Sequence, residues 1–256
     1  MIDARAVVDP GACIDEGVEI GAFSVIGSDV KIGRGTRIGS HAVIKGPTVI
    51  GRDNQISQFA SLGDDPQDMK YAGEPTCLKI GDRNVFREFV TINRGTAQGG
   101  GSTCIGNDNL FMAYIHVAHD CLIGNHVIMA NGASLGGHVT LNDYAILGGF
   151  TMVHQFCHIG AHAFCAMGTG VTKDVPPFLM VSGHPAKPHG INSVGLGRRG
   201  FSEAALLNIK RAYKTLYLRN LKLDVAVDAL RQSAADSPEV EMFVAFVQNR
   251  SRSIVR

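Results

Sequence analysis

Apolar residues recur at every sixth position over most of the chain. The series begins at Ile14, breaks after Leu62, resumes at Ile80 and, after a slip of one residue, continues from Ile105 to Val171. All 24 positions are apolar, and glycine follows twelve of them. Such a period predicts a solenoid in which each hexad forms one short strand and a turn. Three hexads complete a triangular coil of about 18 residues, with successive strands stacked about 4.8 Å apart.

Two segments break the hexad pattern and predict loops outside the coils, at 64–79 and 97–104. Loops on a rigid scaffold often carry function, although a tolerated insertion explains the pattern equally well. The hexads end before Pro176, and every glycine and histidine lies before residue 201. Helical spacing follows, with Ser202 and Ser237 as predicted N-caps. We therefore expect an all-β solenoid, a parallel β-helix over residues 1–190, and a C-terminal α-helical region over 191–256.

Composition narrows the functional classes. Lys and Arg total 24 against 23 Asp and Glu, so no overall basic field favours nucleic acid or an anionic membrane. No apolar stretch approaches a membrane span, and the first ten residues lack the apolar core of a signal peptide. Six scattered cysteines suggest reduced thiols. We expect a cytoplasmic protein without stable membrane insertion.

Polar residues one coil apart predict a site on one edge of the solenoid. The predicted column consists of His119, Gly137 and Gln155, with His116, His138 and His154 beside it. A histidine next to a carboxylate, as in His119-Asp120, suits a general base near neutral pH. The backbone N–H of Gly137 could stabilise an oxyanion. This combination favours acyl transfer from a thioester to a hydroxyl.

Other chemistries remain open at this point. A solenoid carbonic anhydrase would bind zinc through three histidines, and His116, His119 and His138 could imitate that set. A covalent route through cysteine is disfavoured, because direct acyl transfer requires no nucleophile and Cys165 occupies a repeat position. Residues 195–200 match Gly-x-Gly-x-x-Gly without the surrounding strand–helix–strand unit of a dinucleotide fold. There Arg198 and Arg199 precede a predicted helix, where they could bind a diphosphate or form a solvated turn.

Six motifs together resemble one enzyme family, the acyl-carrier-protein-dependent UDP-N-acetylglucosamine 3-O-acyltransferases of lipid A biosynthesis. They are His-Val-Ala-His-Asp-Cys at 116–121, Gly-Gly-His-Val at 136–139, His-Gln-Phe-Cys at 154–157, Gln-Asp-Met-Lys-Tyr at 67–71, Gly-Glu-Pro-Thr at 73–76 and Arg-Arg-Gly-Phe at 198–201. The resemblance covers essentially the whole chain. It implies a left-handed β-helix, a homotrimer with sites between subunits, an (R)-3-hydroxyacyl donor on acyl carrier protein, and no cofactor or metal.

The resemblance also implies roles for single residues. His119 would deprotonate the sugar 3-hydroxyl, Asp120 would support its charge, and the Gly137 amide would bind the oxyanion. Asp68 and Lys70 would clamp substrate from a neighbouring subunit. The remaining substrate contacts would come from His116, His138, His154, Gln155, Asn192, Arg198 and Arg199. The basic C-terminal region, with nine Lys and Arg against six Asp and Glu after residue 200, suits an acidic carrier protein.

Four positions bear on the choice of substrate. Met167 stands where long-chain members have glycine, which predicts a chain nearer ten carbons than fourteen unless Met167 merely fills the core. Asn93, Val194 and Gly197 depart from the usual His, Glu and Lys. Some members of the family acylate a 3-amino analogue of the sugar, so an amide product is the alternative.

Two further classes are weighed against this reading. The later N-acyltransferase of the same pathway usually has an N-terminal globular domain, whereas here the repeat has begun by Ile14. A non-catalytic hexapeptide scaffold would not require the histidine column.

Overall fold

The computed structural model describes residues 1–234, 237–249 and 252–256. Its main body is a left-handed parallel β-helix, and a helical region follows it, which confirms the predicted fold class. Three sheets of nine, eight and ten strands form the faces of the triangular prism. Among the described residues, no helix has the length and apolar character needed to cross a membrane.

The strands alternate between the three faces in chain order. The first face contains Val7–Val8, Val25–Ile26, Val43–Ile44, Ser61–Asp64, Thr91–Asn93, His116–Val117, Ser134–Leu135, Met152–Val153 and Gly170–Val171. The second face contains Cys13–Ile14, Val30–Ile32, Thr48–Ile50, Cys77–Ile80, Ser102–Ile105, Leu122–Ile123, Thr140–Leu141 and His158–Ile159. The third face contains Glu19–Ile20, Arg37–Ile38, Gln55–Ile56, Val85–Phe86, Leu110–Phe111, Ile128–Met129, Ile146–Leu147, Phe164–Cys165, Leu179–Ser182 and the antiparallel Lys187–Ile191.

The core is formed by the apolar positions of the hexads. Every position from Ile20 to Val171 in the series is buried, and only Ile14 in the first coil is partly exposed. Side chains alternate between the two sides of a strand, so the residue before each core position faces outward. The prism therefore has a continuous apolar interior, and its chemistry is confined to the faces, edges and loops.

The first inserted segment is shorter than predicted, and the second has the predicted length but begins three residues earlier. Cys77–Ile80 and Ser102–Ile105 are strands that pair with each other on the second face, so the inserted segments are 65–76 and 94–101. The registers show the lengths of the insertions. Val25 pairs with Val43, 18 residues on, whereas Leu62 pairs with Ile92 across the first loop. Backbone hydrogen bonding to two neighbouring strands holds the loop ends in the sheet.

The three edges of the prism turn through residues with positive φ. On the edge between the third and first faces, here called the ring edge, these include Phe23, His41, Phe59, Phe89 and Tyr114. Their rings stack coil on coil, with centroids 4.8–5.2 Å apart. The edge between the first and second faces is called the histidine edge. The edge between the second and third faces is called the mixed edge.

Four helices follow the prism: α1 (Ser193–Arg198), α2 (Glu203–Tyr217), α3 (Leu223–Ala234) and α4 (Pro238–Gln248). Ser202 and Ser237 cap α2 and α4 as predicted, since their hydroxyls accept hydrogen bonds from the N–H groups of Ala205 and Val240. The chain end then returns to the last coil. The N–H groups of Arg252 and Val255 donate to Asp174, whose side chain is fully buried.

Candidate active site

A histidine and an aspartate form a hydrogen-bonded pair on the histidine edge. His119 and Asp120 follow the strand His116–Val117, and Asp120 turns the chain with φ of +61°. His119 Nδ1 lies 2.7 Å from Asp120 Oδ2, and the Asp120 side chain is fully buried. A carboxylate can only accept, so Nδ1 carries the proton and Nε2 is left as the basic nitrogen. The pair has the geometry of an oriented general base.

Gly137 lies one coil above His119, where the coil arithmetic predicts it. A Cβ built on Gly137 would lie 2.5 Å from His119 Cε1 and 2.8 Å from Nε2, so any side chain would collide with the imidazole. Within the described residues, the Gly137 N–H donates no hydrogen bond. A free backbone donor therefore stands beside the basic nitrogen, as an oxyanion site requires.

His138 and the first loop complete the rim of this site. The His138 ring stands edge-on to His119 with centroids 5.2 Å apart, and it stacks on Phe156 at 4.4 Å. Burial lowers the pKa of His138, while the carboxylates of Asp120 and Asp68 act in the opposite direction. Asp68, on the first loop, therefore lies near enough to His138 of its own chain to influence it. The first loop leaves the sheet after Ser61–Asp64, on a face that borders this edge.

The remaining residues of the column lie below and above the pair. His116 Nδ1 is 2.8 Å from the Thr91 hydroxyl, and burial, with a smaller contribution from His119, lowers the pKa of His116. His154 and Gln155 are exposed, and Arg252 of the chain end approaches His154 Nδ1 at 3.1 Å. Lys70 is exposed on the first loop.

The other predicted site residues lie on different edges. Asn192 caps α1, and its side-chain amide donates to His162 O on the mixed edge. The Arg199 guanidinium lies 5.0 Å above the Tyr144 ring and 3.4 Å from His162 Nδ1, while Arg198 is exposed. One chain therefore does not bring these residues together with His119.

Met167 lies at the upper end of the ring edge, beside Gly168. Its side chain is 79% exposed, so it does not fill the core of this chain. Phe150 and Met152 nearby are 67% and 52% exposed. A concentration of exposed apolar side chains near a polar site is typical of a surface that binds a partner or an apolar ligand.

The three departures from the family pattern have different environments. Asn93 is buried beneath the first loop, where its side-chain amide donates to Asp65 O at 2.8 Å. It therefore anchors the loop through this hydrogen bond. Val194 is exposed on α1. A Cβ added to Gly197 would have no atom within 4 Å, so a larger side chain fits at this position.

The residues also bear on the rival chemistries. The donor atoms of His119, Asp120 and His138 lie within 4.8 Å of one another, close enough for a metal ion. However, the Asp120 oxygens already accept three hydrogen bonds, two of them at Oδ2, the oxygen that lies near both His119 and His138. Burial raises the pKa of the adjacent Cys121 thiol to about 12, so it is no nucleophile at neutral pH.

Three contacts at the site were not predicted from the sequence. They are the hydroxyl of Thr91 on His116, the Phe156 ring under His138, and the Thr96 side chain on Asp120. Phe156 follows His138 by one coil, so coil arithmetic could have found it. Thr91 is separated from His116 by the second insertion, and Thr96 lies within that insertion, where coil arithmetic does not apply.

Comparison with known proteins gives a consistent result. The family profile described as "Udp N-acetylglucosamine O-acyltransferase; Domain 2" matches residues 174–255, and a bacterial transferase hexapeptide profile matches residues 14–46. The acyl-[acyl-carrier-protein]–UDP-N-acetylglucosamine O-acyltransferase of Halorhodospira halophila is 58% identical, with 100% of this chain and 99% of that protein covered. The enzyme of the same name from Alkalilimnicola ehrlichii is 56% identical over the same shares.

Solved structures agree. The UDP-N-acetylglucosamine acyltransferase of Francisella novicida superposes with a TM-score of 0.98 at 44% identity, with 100% of this chain and 94% of that one covered. The Arabidopsis enzyme of that name superposes at 0.84 and 33% identity, with both chains fully covered.

Proposed function

Because this chain belongs to the family of acyl-[acyl-carrier-protein]–UDP-N-acetylglucosamine O-acyltransferases, we propose that it acylates the 3-hydroxyl of UDP-N-acetylglucosamine. The donor is an (R)-3-hydroxyacyl thioester of acyl carrier protein, and the reaction is the first step of lipid A biosynthesis. The observation that carries the proposal is the His119–Asp120 pair beside the free N–H of Gly137. The six unpaired cysteines support a cytoplasmic location.

The geometry supports direct transfer without a covalent enzyme intermediate. His119 Nε2 removes the proton of the sugar 3-hydroxyl as its oxygen attacks the thioester carbonyl carbon. The Gly137 N–H donates to the resulting oxyanion, and Asp120 stabilises the imidazolium. When the tetrahedral intermediate collapses, the C–S bond breaks. The carrier thiolate then takes the proton from His119, which restores the neutral base.

Substrate binding is proposed to involve more than one subunit. The His119 pair lies on the histidine edge, Arg199 and Asn192 on the mixed edge, and Met167 on the ring edge. A homotrimer, in which the edges of neighbouring prisms meet, would unite these residues in one cleft. In that cleft the sugar nucleotide would be bound by Asn192, Arg198, Arg199, His154 and Gln155. The sugar and the acyl group would be contacted by His116 and His138. Asp68 and Lys70 would close over the substrate. The exposed apolar side chains around Met167 support such a contact.

Mass spectrometry of the product is the direct test. UDP-N-acetylglucosamine and its 3-amino analogue are each incubated with enzyme and (R)-3-hydroxyacyl carrier proteins of ten, twelve and fourteen carbons. We expect one acyl group on the hydroxyl sugar, most abundant with the ten-carbon donor. Product from the amino sugar alone would move the function to amide formation. Absence of product with both acceptors would overturn the proposal.

A further inference from the structure

The Asp120 carboxylate is held by more than its histidine. Oδ1 accepts from the Thr96 backbone N–H at 2.8 Å, and Oδ2 lies 2.7 Å from the Thr96 hydroxyl as well as 2.7 Å from His119 Nδ1. Thr96 is itself only 2% exposed. One residue of the second loop therefore supplies two of the three side-chain hydrogen bonds of this carboxylate.

The direction of the hydroxyl bond follows from its other contact. The Gly99 N–H donates to Thr96 Oγ1 at 3.1 Å, so the oxygen is already an acceptor. A carboxylate cannot donate, and the hydroxyl proton must therefore point at Asp120. Because hydrogen bonds to a charged acceptor are stronger than neutral ones, this contact restrains the carboxylate effectively.

The second loop is shaped to make this approach possible. A Cβ on Gly99 would lie 2.0–2.3 Å from all three carboxyl atoms of Asp120, so only glycine fits against the carboxylate. Gly99 and Gly101 both donate backbone N–H groups to Thr96 O, which closes the turn around Thr96. From the other side, the Thr103 hydroxyl accepts the Asp120 N–H at 2.8 Å. The loop thus encloses the carboxylate from the side of the preceding coil.

We propose that Thr96 is a positioning residue for the catalytic base: its hydroxyl and N–H fix the Asp120 carboxylate, which in turn holds His119 with Nε2 toward the substrate. This inference rests on the proposed function of His119. It assigns to the second loop a role in catalysis, although the loop supplies no group that touches the reacting atoms. Thr96 acts when the imidazolium forms, because a carboxylate held in place stabilises that charge without reorganisation.

The test compares three variants by steady-state kinetics. Thr96→Val removes the hydroxyl but keeps the shape and the backbone N–H. We expect kcat to fall roughly tenfold to a hundredfold while KM for both substrates stays within about twofold, as loss of one hydrogen bond to a charged group predicts. Thr96→Ser restores the hydroxyl and should recover most of kcat. Thr36→Val is the matched control. The Thr36 hydroxyl is equally buried and bonds to Gly51 O at 2.9 Å, far along the chain from the site, so kcat should not change.

A double variant separates positioning from general damage. In an Asp120→Asn background the carboxylate charge is absent, so adding Thr96→Val should change kcat by less than about threefold. The inference is overturned if Thr96→Val has wild-type kcat or if Thr96→Ser fails to restore kcat. It is also overturned if the double variant loses kcat by the full product of the two single losses. Those outcomes leave the proposed function intact as long as His119→Ala is inactive. An active His119→Ala enzyme would instead refute the base on which both proposals depend.

Discussion

The histidine edge and the ring edge turn with the same backbone geometry but carry opposite chemistry. Each ring-edge turn from Phe23 to Tyr114, and each histidine-edge turn from Asp120 to Phe156, contains a residue with φ near +60°, an unusual conformation for a side-chain-bearing residue. On the ring edge the side chains at these positions form a stack from Phe23 to Tyr114. On the histidine edge Asp120, His138 and Phe156 occupy these positions, and the second loop covers the first of them.

The two edges show that the same turn geometry can serve either stability or catalysis. Stacked rings contribute about 0.5–1.5 kcal/mol per pair, which offsets strained turns wherever the edge is uninterrupted. The histidine edge gives up part of that stacking and instead buries a carboxylate, which is stable only because Thr96 and His119 satisfy it. We conclude that the ring edge serves stability and the histidine edge serves chemistry. Four substitutions test this division.

The largest expected effect is loss of the base. His119→Ala should lower kcat by roughly 10²- to 10⁴-fold, because it removes the basic nitrogen that stands beside the free N–H of Gly137. Steady-state rates with the ten-carbon donor measure it. The matched control is His126→Ala. His126 also has positive φ and stacks on Tyr144, yet lies on the mixed edge away from the pair, and it should keep kcat within about twofold. Equal losses of kcat in both variants would show that removing a histidine lowers the rate by disturbing the fold.

A second substitution concerns the upper end of the ring edge, where Gly132 and Gly168 interrupt the rings. Met167→Gly should raise the relative kcat/KM for the fourteen-carbon over the ten-carbon donor roughly tenfold or more, since each additional buried methylene contributes about 0.8 kcal/mol. Competition between the two donors, read by mass spectrometry, gives the ratio. The rate with the ten-carbon donor serves as the internal control and should change little. An unchanged ratio would mean that the exposed Met167 does not limit the acyl groove.

The hexads predict the coils but not the contacts made across the insertions. Coil arithmetic aligns His119, Gly137 and Gln155 because no insertion separates them. Across the two loops the pairings become Leu62 with Ile92 and Ile80 with Ile105, so the stacking of Thr96 on Asp120 cannot be read from an 18-residue period. Arg199 is equally unpredictable, because its position over Tyr144 depends on how α1 packs against the prism.

A third substitution tests the stabilising role of the rings. Phe59 stacks on His41 and on Phe89, with both centroid distances at 5.2 Å. Phe59→Ala should lower the free energy of unfolding by about 1–3 kcal/mol through loss of two ring pairs, without changing kcat. Chemical denaturation at one fixed protein concentration measures this, since assembly would make stability concentration-dependent. Phe59→Tyr retains the stack and should behave as wild type. If Phe59→Ala had the wild-type free energy of unfolding, ring stacking could not be what offsets the cost of the positive-φ turns.

The smallest expected effect is a change in how stability depends on pH, and it comes from replacing a residue of the histidine edge by one typical of the ring edge. His138→Phe would keep a ring on Phe156 but remove a titrating group. Burial lowers the pKa of His138 from its ordinary value of 6.5, so the unfolded chain binds the proton more readily than the folded one. The stability due to neutral His138 is therefore present above pH 6.5 and declines as the pH falls through that value toward the lower folded pKa. Because His138 is partly exposed, solvent screening keeps the contribution below about 1 kcal/mol.

Denaturation midpoints at pH 7.5 and pH 5.5 should thus differ less in His138→Phe than in wild type. The control is Phe59→Tyr on the ring edge, which changes no group that titrates between these pH values and should leave that difference unchanged. If the two midpoints differed as much in His138→Phe as in wild type, His138 would contribute nothing to the pH dependence, and the contrast between the edges would rest on shape alone.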